Sequence, residues 1–134
     1  MDQIIKNIPK YTINELGIVK NLNGKIIKTS RRRGKNRKYY CVKLRHEKRS
    51  TTYSIHRLLA ETFILNPYNH PEVNHKDGNP LNNNLDNLEW VTQEENKNHY
   101  LNLKKYKKEI LIHQIENLLD SPNKEEIMKL IRKL

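Results

Sequence analysis

The 25 residues Glu72–Asn96, EVNHKDGNPLNNNLDNLEWVTQEEN, constrain this chain more than any other stretch. They hold seven asparagines, one histidine and the only tryptophan. Val73-Asn74-His75 reads as the end of an extended segment, closed by the turn pair Asp77-Gly78, in which glycine supplies a left-handed backbone at little steric cost. Asn87-Leu88-Glu89-Trp90-Val91-Thr92 alternates, with Leu88 and Trp90 on one side, and predicts a strand. Thr92 and Glu95 stand at capping-box spacing, so a helix should begin at Gln93. The segment is therefore expected to fold as strand, long loop, strand, helix.

Upstream, Gly17–Leu22 and Lys25–Lys28 flank Asn23-Gly24, the pair that suits a type I′ hairpin turn because both central residues need positive φ. RRRGKNRK, residues 31 to 38, reads as a loop or hairpin tip. A strand from Tyr39 to Leu44 follows, and the β-branched run at Thr51–Ile55 pairs back on it. Ser54 is placed to cap a helix from Ile55 to Ile64 with Leu58, Leu59, Thr62 and Phe63 on its apolar stripe, ended by Asn66-Pro67. Beyond the motif, Leu111, Ile115 and Leu118 form one helical stripe, and Ile127, Leu130, Ile131 and Leu134 another. Asp120-Ser121-Pro122 reads as a stop and restart between them. The class expected is α+β. It divides into a basic β-rich region with a short helix (1–66), the strand–loop–strand–helix unit (67–103) and a C-terminal helical hairpin (104–134).

The charge is not spread evenly. Twelve of the 26 lysines and arginines, but only one of the 15 acids, lie between Lys25 and Arg49, so the whole net charge of +11 resides there. A concentrated block of this kind is the electrostatic footprint of a polyanion partner, most commonly nucleic acid. The candidate contacts are Arg31, Arg32, Arg33, Lys35, Arg37, Lys38, Lys43, Arg45 and Arg49, most of them reaching phosphate and few reading bases. A two-stranded ribbon carrying such cations fits a major groove. The single cysteine, Cys41, excludes a disulfide framework and a cysteine-rich zinc site. The N-terminus has no signal-peptide apolar run and no stretch has membrane-spanning length, so no membrane partner is expected and an intracellular, cytoplasmic location is.

Taken singly, Asn74 and Asn96 are ordinary turn and helix-surface residues. In the strand–loop–strand–helix order, His75, Asn87 and Asn96 can converge on one small space. A neutral imidazole accepts a proton near neutral pH, and amide or carboxylate oxygens suit a hard divalent cation, so the types present fit metal-assisted phosphodiester cleavage.

The run Val73-Asn74-His75-Lys76-Asp77-Gly78-Asn79, then Asn82-Asn83, Asn87–Thr92 and Glu95-Asn96, resembles the motif of HNH endonucleases, in particular the phage and intron homing enzymes whose motif ends in asparagine. The leader Ile13–Lys28 and the stretch Ile55–Phe63 resemble that group as well, so the likeness covers roughly residues 10 to 100. The resemblance implies a ββα-metal unit that cleaves DNA with one divalent cation, Mg²⁺ or Mn²⁺, and leaves 5′-phosphate and 3′-hydroxyl ends. It implies His75 as general base, Asn87 as the group that orients it through its backbone or ring, and Asn96 as metal ligand. Asn74 stands where the second ligand is often aspartate or histidine. His99, one turn past Asn96, is a further candidate ligand or phosphate contact. A DNA-binding regulator with a weakened site is the alternative that Asn74 favours; an RNA-binding protein would explain the charge but not the His75/Asn87/Asn96 order. The tail could extend the DNA footprint or form a dimer interface, and the sequence leaves monomer and homodimer open.

Overall fold

The computed structural model describes residues 1–31, 39–118 and 124–133, and these form two compact units, Met1–Asn96 and Lys97–Leu134. The class is α+β, with small antiparallel sheets and three helices.

In the first unit, β1 (Gln3–Ile4), β2 (Tyr11–Ile13) and β3 (Val19–Asn21) form one sheet in chain order. Ile13 and Val19 face each other across it and are fully buried. Between them the Asn14 carboxamide oxygen accepts from the backbone N–H of Leu16 (3.1 Å) and Ile18 (3.0 Å), bending the chain so that Gly17 takes φ +78°. A Cβ on Gly17 would lie 2.8 Å from Ile55 Cγ2. Gly17→Ala is therefore expected to lower stability by about 2–4 kcal/mol, from left-handed strain plus overpacking, read as the shift in a denaturant midpoint.

The Asn23-Gly24 pair does not form the expected I′ turn. Gly24 has φ +77°, whereas Asn23 is not among the positive-φ residues. The Asn21 side chain reshapes the turn: its Oδ1 accepts from Asn23 N (3.0 Å) and Lys25 N (2.9 Å), beside a backbone turn in which Gly24 N donates to Asn21 O (2.9 Å). The return strand shrinks to a single bridge, Lys20 to Ile26.

The second sheet is β4 (Thr29–Arg31), β5 (Tyr40–His46) and β6 (Arg49–Ser54), with β5 central. Period-2 alternation buries Val42 and Leu44 and leaves Lys43 and Arg45 exposed on the other face. Tyr11 ties the two sheets together, its hydroxyl donating to Arg45 O (3.3 Å) and accepting from Arg45 N (3.2 Å). α1 (Ile55–Phe63) leaves β6 directly and buries Ile55, Leu58, Leu59 and Ala60. Ser54 does stand at the N-cap in extended conformation, but its side chain makes no cap hydrogen bond. The core gathers on this helix, with Ile13 and Val19 from the first sheet, Ile5 and Ile8 from the connection between β1 and β2, Val42 and Leu44 from the second sheet, and Leu88 from the motif.

The motif itself forms β7 (Glu72–His75), a 3-10 turn at Leu85–Asn87, β8 (Leu88–Val91) and α2 (Gln93–Leu118). The capping box is present: Thr92 N donates to Glu95 Oε2 (2.8 Å) and Glu95 N to Thr92 Oγ1 (3.2 Å).

The second unit holds the rest of α2 and α3 (Lys124–Ile131). Where the pattern predicts a separate helix at Ile110–Leu119, α2 runs unbroken from Gln93 to Leu118, because neither proline nor glycine interrupts it. Leu111, Ile115, Leu118, Ile127 and Leu130 are half-buried and Ile131 is exposed. The Asp120-Ser121-Pro122 stop, with Leu119 and Leu134, lies outside the described residues. Among the described residues no helix is long and apolar enough to cross a membrane.

Candidate active site

β7 and β8 pair antiparallel with Glu72 opposite Val91, Val73 opposite Trp90, Asn74 opposite Glu89 and His75 opposite Leu88. Opposed residues share a face and successive residues alternate, so this register sorts the motif into two sides. Val73, His75, Leu88 and Trp90 lie on the side that packs on α1; Glu72, Asn74, Glu89 and Val91 lie on the other.

His75 ends β7 and is 6% exposed. Its Nε2 lies 2.9 Å from the Asn83 carboxamide oxygen. An amide oxygen only accepts, so Nε2 carries the ring hydrogen and the lone pair of the neutral imidazole sits on Nδ1. The ring is held from the other side by His56, at 4.9 Å between centroids, and by Tyr39, at 5.9 Å; Tyr39 and His56 are themselves 4.9 Å apart. Burial, with repulsion from His75 and Arg57, pushes His56 down to about 4, and its Nδ1 is buried without a hydrogen-bond partner. A proton on either ring would meet the other at close range.

A pH dependence follows from His56. The unfolded chain protonates this histidine near its ordinary 6.5, whereas the folded chain does so only near 4. Between those values the unfolded state binds the extra proton, so stability falls as pH drops from 6.5 toward 4, by up to about 3 kcal/mol. Denaturant unfolding at pH 7 and 4.5 should show this slope, and His56→Phe, which keeps a ring in the stack, should flatten it.

Asn87 closes the loop behind His75. Its backbone oxygen accepts from Lys76 N (2.8 Å) and its Oδ1 from Asp77 N (3.0 Å), while its Nδ2 donates to Asp77 Oδ1 and Asn82 O, both at 2.9 Å. It thus grips the two residues that follow His75, rather than the ring. Asp77 also accepts from Asn82 Nδ2 (2.8 Å) and Asn79 N (2.8 Å). The Asn82 amide, the Asn79 backbone and the Asn87 amide hold the Asp77 carboxyl below its usual range.

On the opposite side, Asn74 is 7% exposed and donates its Nδ2 to Glu89 Oε1 (2.9 Å). Asn96, in the first turn of α2, donates its Nδ2 to Glu72 Oε2. Two carboxamides and two carboxylates therefore occupy one face, all oxygen donors of the kind a hard divalent cation prefers. No three histidine, cysteine, aspartate or glutamate side chains gather into a metal-holding group among the described residues. A cation here would depend on amide oxygens.

Among side chains, His75, Asn87 and Asn96 make no hydrogen bond to one another. Each is fixed by its own partner: Asn83, the Asp77 loop and Glu72 respectively. His99 belongs to the second unit and is half-buried. Arg31, Lys43, Arg45 and Arg49 are exposed, while Arg32, Arg33, Lys35, Arg37 and Lys38 lie outside the described residues. Trp90, expected in the core, is only half-buried. Its Nε1 donates to Ile64 O (3.2 Å), and the Arg57 guanidinium lies 5.7 Å from its ring.

Five contributors escape the sequence reading. Asn83 is one of three consecutive asparagines, and nothing distinguishes it from its neighbours. His56 and Tyr39 reach His75 only through the tertiary fold. Glu72 and Glu89 could have been found from alternation, since a strand that turns Leu88 and Trp90 inward must turn Glu89 toward the side of Asn74.

Residues 53–98 match the family model described as HNH endonuclease. Two proteins of Acanthamoeba polyphaga mimivirus, both named as uncharacterized HNH endonucleases, are 43% identical over 116 residues and 41% identical over 99. These matches take in 83% and 71% of this chain but only 34% and 24% of the viral proteins, so the chain spans about a third or less of their length. The solved structure of the HNH homing endonuclease I-HmuI, described for its DNA binding and cleavage, superposes with a TM-score of 0.68 at 30% identity, over 87% of this chain and 68% of that one. The strand pair, the histidine at the end of its first strand and the capped helix, together with these matches, establish that the chain belongs to the HNH endonuclease family.

Proposed function

We propose that the chain is a metal-dependent DNA endonuclease that hydrolyses a phosphodiester bond and leaves 5′-phosphate and 3′-hydroxyl ends. The observation that carries this reading is His75. The ring is held by Asn83 at Nε2 and by His56 and Tyr39 on its faces, and its lone pair is on Nδ1. That is the arrangement of a general base whose ring is oriented before substrate arrives. Nδ1 takes a proton from water, the water oxygen attacks phosphorus, and the P–O3′ bond breaks, the departing oxygen taking a proton from solvent. Asn87 contributes by fixing the loop that follows His75.

Asn74 and Asn96 would hold one divalent cation, Mg²⁺ or Mn²⁺, through their amide oxygens. The cation would supply charge stabilisation for the phosphate and the departing oxygen. The exposed cations of the second sheet, Lys43, Arg45, Arg49 and Arg31, would grip the backbone of double-stranded DNA, most of them without sequence preference. I-HmuI, a solved relative described as binding and cleaving DNA, supports the choice of substrate.

The test is the chemistry of the product. Supercoiled plasmid nicked by the protein in Mg²⁺ or Mn²⁺ should be resealed by DNA ligase without prior end treatment, because ligase requires a 5′-phosphate beside a 3′-hydroxyl. A nick that ligase cannot close would refute the stated cleavage polarity.

A further inference from the structure

His56 lies against the general base, yet base catalysis by His75 gives it no chemical part. Its ring centroid is 4.9 Å from that of His75, at an interplanar angle of 53°, and 4.9 Å from that of Tyr39. Nδ1 of His56 is buried with no hydrogen-bond partner among the described residues, whereas the residue as a whole is only half-buried. Nε2 is therefore the nitrogen on the open side of the ring, next to His75. A buried N–H without a partner is rarer than a buried lone pair without one, so the ring hydrogen belongs on Nε2. His56 thus presents a hydrogen-bond donor outward. Burial, with His75 and Arg57 beside it, keeps this ring neutral at pH 7, so His75 can take up a proton without a second cation against it.

Resting on the reading above, we propose that His56 is a further catalytic residue, whose Nε2–H donates to a non-bridging oxygen of the phosphate that the His75-activated water attacks. The departing oxygen is out of its reach. Attacking and departing oxygens stand on opposite sides of phosphorus. A base on one and a donor on the other would be separated by two hydrogen bonds of about 3 Å each, with the O–P–O span between them. Rings 4.9 Å apart are too close for that and suit neighbouring oxygens of one phosphate. A donor fixed there strengthens its hydrogen bond as the oxygen gains charge in the transition state. No proton leaves His56 in this role.

The test replaces each non-bridging oxygen of the mapped scissile linkage by sulfur, a weaker hydrogen-bond acceptor, and follows single-turnover cleavage of the duplex by the full chain in Mn²⁺. His56→Phe keeps a ring against His75 and Tyr39 but has no donor. On the all-oxygen duplex it is expected to cleave about 10²–10³-fold more slowly than wild type, the cost of losing one oxyanion donor, with duplex affinity in Ca²⁺ near wild type. Sulfur in one of the two diastereomers should slow wild type. That slowing should be lost in His56→Phe, because the oxygen has already lost its partner there. His56→Gln, which returns an N–H donor, should regain part of both the rate and the sulfur effect. Sulfur effects equal in wild type and His56→Phe would make His56 a packing residue only. That result, or cleavage of the all-oxygen duplex by His56→Phe at the wild-type rate, overturns the proposal and leaves the nuclease reading standing. No cleavage by wild type brings down both. Should the phenylalanine variant not fold, the near-isosteric pair His56→Gln and His56→Met decides. A faster glutamine variant, with a sulfur effect that the methionine variant lacks, supports the donor, and equal rates and sulfur effects overturn it.

Discussion

His75→Ala is expected to lower the rate of DNA cleavage by about 10²–10⁴-fold, the range general-base catalysis contributes, with little loss of DNA binding. The side chain has one hydrogen bond, to Asn83, a stacked contact with Tyr39 and a tilted ring contact with His56. Its removal vacates the Nδ1 lone pair but leaves the metal face and the exposed cations of the second sheet in place. Because His75 is buried beside Leu88, truncation also opens a cavity, and a stability loss of about 1–3 kcal/mol is expected. The two effects separate experimentally. Single-turnover cleavage below the melting transition reports the base, and gel-shift affinity with Ca²⁺ in place of Mg²⁺ reports binding. His75→Gln, which retains a partner for Asn83 but cannot act as a base, should be as inactive as the alanine variant and more stable.

Asn96→Ala carries the second large effect. It removes the proposed ligand and leaves Glu72 without the NH₂ that pairs with it. Metal affinity is expected to fall by about 100-fold or more, at least the cost of losing an outer partner, and cleavage should recover in part as Mn²⁺ is raised into the millimolar range. Stability should change by only about 1–2 kcal/mol, since a single hydrogen bond to a partly exposed carboxylate is lost. The rescue by excess metal distinguishes this variant from His75→Ala, which no concentration of cation should restore.

The parts of the fold that were legible in the sequence are those set by local chemistry. Thr92 and Glu95 announced the start of α2, and Leu88 and Trp90 gave the facing of β8. The turn at Asn23-Gly24 was misread because the competing acceptor, Asn21, lies outside the dipeptide that carries the turn signal. The division drawn between residues 103 and 104 falls inside α2. A change of composition at Lys104 marks a new surface, but it removes no backbone hydrogen bond, so the helix continues.

The site divides in the same way. His75, Asn87 and Asn96 could be named from type and order, because their spacing is tied to the strand–loop–strand–helix unit. Their partners could not. Asn83 is distinguished from Asn82 and Asn84 only by where the loop happens to return, eight positions after His75, His56 meets His75 only because α1 packs beneath the hairpin, and both depend on tertiary packing that no local pattern encodes.

The most direct test of the central claim is the conversion of supercoiled plasmid to nicked or linear form by the purified chain, with Mg²⁺ or Mn²⁺ and with the cation chelated. The account predicts cleavage by wild type only when the divalent cation is present, and none above background by His75→Ala under the same conditions. Equal cleavage by wild type and His75→Ala, or no cleavage by wild type with either cation on any double-stranded substrate, would contradict it.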